Sequence, residues 1–462
     1  MIDNNLFLTI LFGLATIYVA IGIWMSRKIK TLNSYFLANR NLGVFKLTFT
    51  LVATQLGSGM ILGTAQQAYD FGFVGILYTV GMSLGFIILG LGLASKMRSL
   101  NVSTTAEIFE TRYNSPKLKL IASALSIISL WGILVAQIIA SKILFASIGI
   151  NDPYILGAFW TFLVFYTMIG GLDSIVIIDT LQVLMVLGVF GFIFIKSFPM
   201  SFHQLTNFKL LTKAQNHYFS KKLFLYNFLP TMLMPMFFSL IEQDLAQRFF
   251  AAKTKATATI SAFFAAIILT SFSGIPLFLG MLAKIKRVTI PFGGNPLLPI
   301  LTTLTSNTIF ILAICAIMAA ITSTANSLLS AISSNIVQDF GPYLPMNNRK
   351  LFISRLVSFI VGCSAVVAAY VITNDIISVL ENSYRLSVIC LLIPTVIAYF
   401  SKKLYAQAAW ISLFCGIGGF VYATMYIQPA VFKDLIPLGC ALAGYSIVHL
   451  ITLLYHKVFS NS

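Results

Sequence analysis

Ala320, Ser323, Thr324 and Ser327 stand at i, i+3, i+4 and i+7 of an otherwise apolar run, so a helix puts them on one face. Ser330 and Ser334 continue the stripe. Uncharged oxygens gathered on one side of a membrane helix suit a small monovalent cation better than a divalent metal or a catalytic triad. The hydroxyls have a plainer use as well, bonding back to their own helix carbonyls or packing between helices. A second oxygen-rich element facing the stripe would decide between the two.

One such element lies in the apolar stretch 44–69, where Gln55-Leu56-Gly57-Ser58-Gly59 brings two glycines and two polar side chains to mid-span. A similar interruption occurs in 224–243, through Pro230 and Pro235. Glycine destabilises a helix interior, and proline removes an amide donor and clashes with the preceding turn. Irregular backbone at membrane depth is tolerated where it is buried in protein or lines a cavity. Glycine and proline are also simply common in membrane helices, so each break alone is weak.

The elements that carry these residues follow from composition. Hydrophobic residues make up 58% of the 462 and charged residues 9%, more apolar surface than a soluble domain can hide. Apolar runs of about 20 residues recur throughout, each long enough to cross a bilayer. We place spans near 6–26, 44–69, 73–97, 118–148, 152–171, 174–196, 224–243, 257–283, 306–335, 352–372, 376–400, 405–427 and 433–456. The expectation is an all-α polytopic membrane protein with about thirteen transmembrane helices and no soluble domain.

The net charge of +17 does not point to nucleic acid, because the basic residues gather in alternate loops. They cluster at Arg27, Lys28, Lys30 and Arg40, and again at Lys96, Arg98, Arg112, Lys117 and Lys119. Further groups are Arg248, Lys253 and Lys255, then Arg349, Lys350 and Arg355, then Lys402 and Lys403. The positive-inside rule makes these loops cytoplasmic, with the N-terminus outside and the C-terminus inside. The loop 197–223 carries Lys209, Lys213, Lys221 and Lys222 yet falls outside; long loops obey the rule less strictly. The first span has no basic n-region and reads as a retained helix. Cys315, Cys363, Cys390, Cys415 and Cys440 lie in or beside apolar spans with no metal-type spacing. No G-x-S-x-G, Walker loop or H-E-x-x-H occurs, and the four histidines are scattered, so no enzyme is expected.

The broken spans are the second and the seventh. Each opens a five-helix unit, spans 2–6 and 7–11, and an odd number of helices inverts the second copy. Matching broken first helices are the sequence pointer to a midplane site in inverted-repeat transporters.

Six segments occur in the order found in one family: "SYFLANRNLG", "LVATQLGSGMILGTAQQAYDFG", "TTAEIFETRY", "GGLDSIVIIDTLQ", "EQDLAQRFFAAKT" and "AAITSTANSLLSAISSNIVQDF". On these the chain resembles the sodium/solute symporter family along nearly its whole length. The resemblance implies a leucine-transporter-like fold with two inverted five-helix repeats, at 44–196 and 224–400. An extra helix and loop at 1–43, an extracellular loop at 197–223 and two further helices at 401–462 complete the division. It also implies a principal sodium site made by the carbonyls of Ala53, Leu56 and Ala320 and the hydroxyls of Ser323 and Thr324. A second sodium site, present in some members, maps to Asp179, Ser323 and Ser327. Asn326 stands where those members have another serine, a departure that leaves this site open. Asp179 is an ionisable residue inside a span, which is a functional hypothesis by default.

A substrate cavity is expected beside the breaks, with Gln55, Ser58, Gln137 and Phe237 as candidates. Gln137 also has the plain reading of joining two helices, and Phe237 is one of 40 phenylalanines. Proline-transporting relatives have an acid at Gln55 and a tryptophan at Gly59, which disfavours proline. Glu381 and Arg385, at i,i+4, read as a mutually neutralising pair, and Glu242, Asp244 and Arg248 as a network at a cytoplasmic end. The function expected is sodium-coupled import of a small polar organic solute across a bacterial inner membrane. Its partners are sodium, solute and lipid bilayer, with no nucleic acid and no obligate protein partner. Two alternatives stay open: a proton-coupled permease on the same fold with Asp179 as proton carrier, and a transporter-like solute sensor.

Overall fold

The computed structural model describes residues 4–206, 228–291, 294–343, 350–372, 376–427 and 430–459. Among them the structure is helical, with one isolated bridge between Leu42 and Ala252. The long helices are α1 (Asn4–Ser26), α2 (Val44–Gln55), α3 (Thr64–Phe71), α4 (Leu77–Ile88), α5 (Pro116–Ser147), α6 (Pro153–Thr206) and α7 (Leu229–Phe238). They are followed by α8 (Gln243–Phe250), α9 (Lys255–Ile285), α10 (Asn307–Asp339), α11 (Lys350–Val371), α12 (Ile376–Phe400), α13 (Ala406–Tyr426) and α14 (Ala430–Phe459).

Among the described residues ten continuous helical stretches are long and apolar enough to cross a membrane, against thirteen predicted spans. The difference has a physical origin in three places. The predicted span 44–69 is divided, and its second half runs on with the next span as one stretch, Gly59–Ser99. Spans 152–171 and 174–196 are one stretch, α6, interrupted at Gly171, whose φ of 60° and ψ of −175° only glycine adopts readily. Span 224–243 is split into α7 and α8, each too short to cross alone. The predicted loop 197–223 differs too: residues 197–206 continue α6, and the rest of it lies outside the described residues.

The division of the seventh span is not where the prolines suggested. Pro230 sits in the first turn of α7, where its missing amide costs nothing, and Pro235 is carried within the helix. The chain leaves helical geometry after them, in the turn 239–242, ending at Glu242 with ψ of 124°. The helix then resumes through α8, so Asp244 and Arg248 belong to the buried second half of a broken helix. Both are fully enclosed, and Arg248 Nη1 donates to the Asp244 carbonyl at 2.8 Å.

α10 lies at the centre. Its most apolar window is 83% buried, against 28% for α1 and 22% for α11, whose apolar faces are left outward as a lipid-facing helix requires. α10 packs on α2, α5, α6, α8 and α11. The chain before α2 is clipped to the chain after α8, with Leu42 N–H donating to the Ala251 carbonyl at 3.1 Å and Lys253 N–H to the Leu42 carbonyl at 2.9 Å. Arg40 closes the same end by donating to the carbonyls of Asn101 and Val102 at 2.9 and 3.0 Å. The two broken helices are thus tied together at one end and meet α10 at their breaks.

Candidate functional site

α2 stops at Leu56, whose ψ of 39° leaves the helix, and a π-helical turn at Gly59–Gly63 restarts it towards α3. In a continuing helix the Ser58 amide would bond the Thr54 carbonyl; here it donates to Gln137 Oε1 of α5 at 3.0 Å. The released carbonyls face the hydroxyl stripe of α10. Ser323 Oγ is 3.0 Å from the Ala53 carbonyl and 2.8 Å from the Ala320 carbonyl. Thr324 Oγ1 is 3.0 Å from the Thr54 carbonyl, 3.3 Å from that of Ala320 and 3.4 Å from that of Ala53. Two hydroxyls of α10 therefore converge on the carbonyls of Ala53 and Thr54 at the break, beside that of Ala320, and gather neutral oxygens of the kind that bind a monovalent cation. Gly57 makes the approach possible: a Cβ there would come to 2.7 Å of Thr324 Oγ1.

Four of the five predicted sodium ligands, Ala53, Ala320, Ser323 and Thr324, are thus within contact distance. Leu56 is buried one turn further along, at the break itself. Thr54, not anticipated from sequence, supplies the additional carbonyl.

The second predicted cluster has a different occupant. Arg248 of α8 is fully buried, and its Nη2 is 3.3 Å from Asp179 Oδ2 and 2.5 Å from Ser327 Oγ. Its Nε donates to Thr50 Oγ1 at 2.8 Å, and Nη1 to the Asp244 carbonyl at 2.8 Å. Thr50 in turn donates to Asp179 Oδ2 at 2.5 Å. A guanidinium therefore already stands among Asp179, Thr50 and Ser327. Asn326 is turned to another helix, its Oδ1 accepting from Thr167 at 2.6 Å and its Nδ2 donating to Tyr166 Oη at 2.7 Å.

Beside the breaks is a cavity lined from both broken helices, α5, α10 and α12. Gln55, Gln137 and Thr324 line it, and two residues, Thr54 and Thr324, belong to both the cavity and the oxygen cluster. Ser58 does not line it; its Oγ is buried without a hydrogen-bond partner among the described residues. Phe238 lines it and Phe237 does not, because adjacent helical residues point about 100° apart. Among the wall residues that sequence reasoning missed are Tyr78, Glu242 and Tyr384. Glu242 carried a signal: it is the first carboxylate after a run of apolar and proline residues. Arg385, read from sequence with Glu381, contacts Asp434 of α14, Nε to Oδ1 at 2.7 Å.

The sequence model of the sodium:solute symporter family matches residues 35–416, most of the chain and both broken helices. The chain belongs to the sodium:solute symporter family. It is a sodium-coupled solute symporter and a multi-pass integral membrane protein. Solved structures similar to it are transporters. A Na+-coupled sialic acid symporter in a substrate-bound outward-open state is 20% identical, with a TM-score of 0.81 over 96% of this chain and 97% of that one. Mhp1, a nucleobase-cation-symport-1 family transporter in a closed conformation with bromovinylhydantoin bound, is 14% identical, with a TM-score of 0.58 over 88% and 92%. MhsT in complex with L-phenylalanine is 14% identical, with a TM-score of 0.54 over 89% and 98%. The fold is leucine-transporter-like, as these likenesses and the all-helical architecture require.

Proposed function

We propose that the symporter binds its sodium ion among the carbonyls of Ala53, Leu56 and Ala320 and the hydroxyls of Ser323 and Thr324. The ion would be released inside after carrying a small polar solute from the neighbouring cavity. The observation that carries this reading is the convergence of the two hydroxyls on carbonyls freed by the break in α2. Sodium there joins the first broken helix to α10. Because Thr324 also lines the cavity, sodium and solute raise each other's affinity by the same factor. The repeats would be 44–196 and 224–400, each opening on its broken helix, in a bacterial inner membrane with the N-terminus outside.

The second cluster supports a single sodium per cycle. A second ion at Asp179 would have to displace the Arg248 guanidinium, which already neutralises that carboxylate. The same ion pair disfavours Asp179 as a proton carrier.

Sodium-induced thermal stabilisation of the purified protein, with potassium as control, tests the principal site. Each of Ser323→Ala and Thr324→Ala should weaken apparent sodium affinity about tenfold or more, since a lost polar contact in a buried site costs roughly 1–3 kcal/mol. A double variant with unchanged sodium response would refute the assignment.

A further inference from the structure

Glu242 lies in the turn between α7 and α8, 6% exposed, with its carboxylate on the cavity. Its Oε2 accepts from Gln55 Nε2 at 3.0 Å, a neutral donor that solvates the charge without cancelling it. Among the described residues no Lys, Arg or His comes within 4.0 Å of it. The surroundings do not make up the deficit. Glu242, Asp244 and Asp179 are three buried carboxylates, and Arg248, spent on Asp179, is the one guanidinium among them. A buried carboxylate without a cation is costly, and an ionisable side chain kept inside a membrane protein marks a functional site by default.

Part of the wall is aromatic. Tyr384 of α12 stacks on Phe238, with ring centroids 4.6 Å apart and planes 17° from parallel. Tyr384 is 2% exposed and lines the same cavity, and its Oη has no hydrogen-bond partner among the described residues. Tyr78 of α4 adds a second phenol to the wall. Aromatic faces attract cations through their quadrupole, most strongly where the site is desolvated. A carboxylate and two tyrosines thus line one cavity, the residue types that cage an organic ammonium.

Resting on the reading that this cavity is the solute site, we propose that the transported solute bears an ammonium-type cation. Glu242 is its counter-ion, and Tyr384 and Tyr78 are the walls that face it. A solute whose only charge is a carboxylate is repelled by Glu242. Sodium at Ser323 and Thr324 would not fill this role, because the cage is lined by a carboxylate and aromatic rings rather than by several neutral oxygens.

The test is thermal unfolding of the full-length protein in detergent, titrated with choline, tetramethylammonium and putrescine in sodium chloride and in potassium chloride. The neutral control is 3,3-dimethyl-1-butanol, which has the shape of choline with carbon in place of the charged nitrogen. At least one ammonium probe should stabilise the protein in sodium, and choline should bind about tenfold or more tightly than its isostere. Glu242→Gln should reduce that preference to about twofold, and Tyr384→Leu should weaken the cation more than the isostere. Equal binding of choline and isostere by the wild type, or no stabilisation by any ammonium probe, overturns the proposal, even if the variants do not fold. The sodium response without any probe reads the oxygen cluster separately. If it persists while no ammonium probe binds, the cage fails and the sodium site stands.

Discussion

At the residue scale the two clusters on α10 differ in what brings charge to them. The upper cluster is built of neutral oxygens, and the lower one holds a carboxylate already matched by a guanidinium. Removing one member of a fully buried pair leaves the other unpaired, at a cost of about 3–5 kcal/mol, whereas removing both is far milder. Arg248→Gln and Asp179→Asn should therefore each lower thermal stability sharply, and the double variant should recover much of the loss. A double-mutant cycle by thermal unfolding checks this, and additive losses would show that the pair is not coupled. The sodium titration of the wild type should fit a single site, with a Hill coefficient of about 1.

At the element scale the breaks matter more than the helices they divide. Gly57 permits α2 and α10 to touch; Gly57→Ala would push a Cβ to 2.7 Å of Thr324 Oγ1 and 3.1 Å of Gln137 Oε1. We expect that variant to remain folded in size-exclusion chromatography yet lose sodium affinity about tenfold, as the carbonyls and hydroxyls are driven apart. The break at Leu56–Ser58 was legible because two glycines flank it in an otherwise apolar run. The oxygen cluster was legible through the helical spacing of Ala320, Ser323 and Thr324. The break in the seventh span was placed too early, since proline is tolerated in a first turn and here the chain turns after Pro235. That shift hid the cage. With the span thought to end at 243, Glu242 and Arg248 read as a network at a cytoplasmic end, whereas α8 carries the chain on as a buried helix. Phe237 was taken for Phe238 because composition gives no phase for an apolar helix with phenylalanine on consecutive positions. The pairing of Arg248 with Asp179, 69 residues apart in sequence, follows from packing that no local pattern encodes.

At the scale of the whole molecule charge is divided between interior and loops. The chain carries 30 basic against 13 acidic residues, and three of the acids are buried around one arginine at the centre. The basic surplus therefore sits at the ends of the spans, where it governs orientation through alternate loops. If those loops are cytoplasmic, the inward sodium gradient drives solute from the side of Asp152 to the side of Lys403. Both positions are exposed and lie on short connections between long helices, at opposite ends of the bundle in the expected topology. Single cysteines placed at each, in a background with the five native cysteines replaced, give the test. In intact cells a membrane-impermeant maleimide should label Asp152→Cys and leave Lys403→Cys unlabelled until the membrane is opened. The reverse pattern would invert the topology, and with it the direction in which the sodium gradient moves solute through the breaks of α2 and α7.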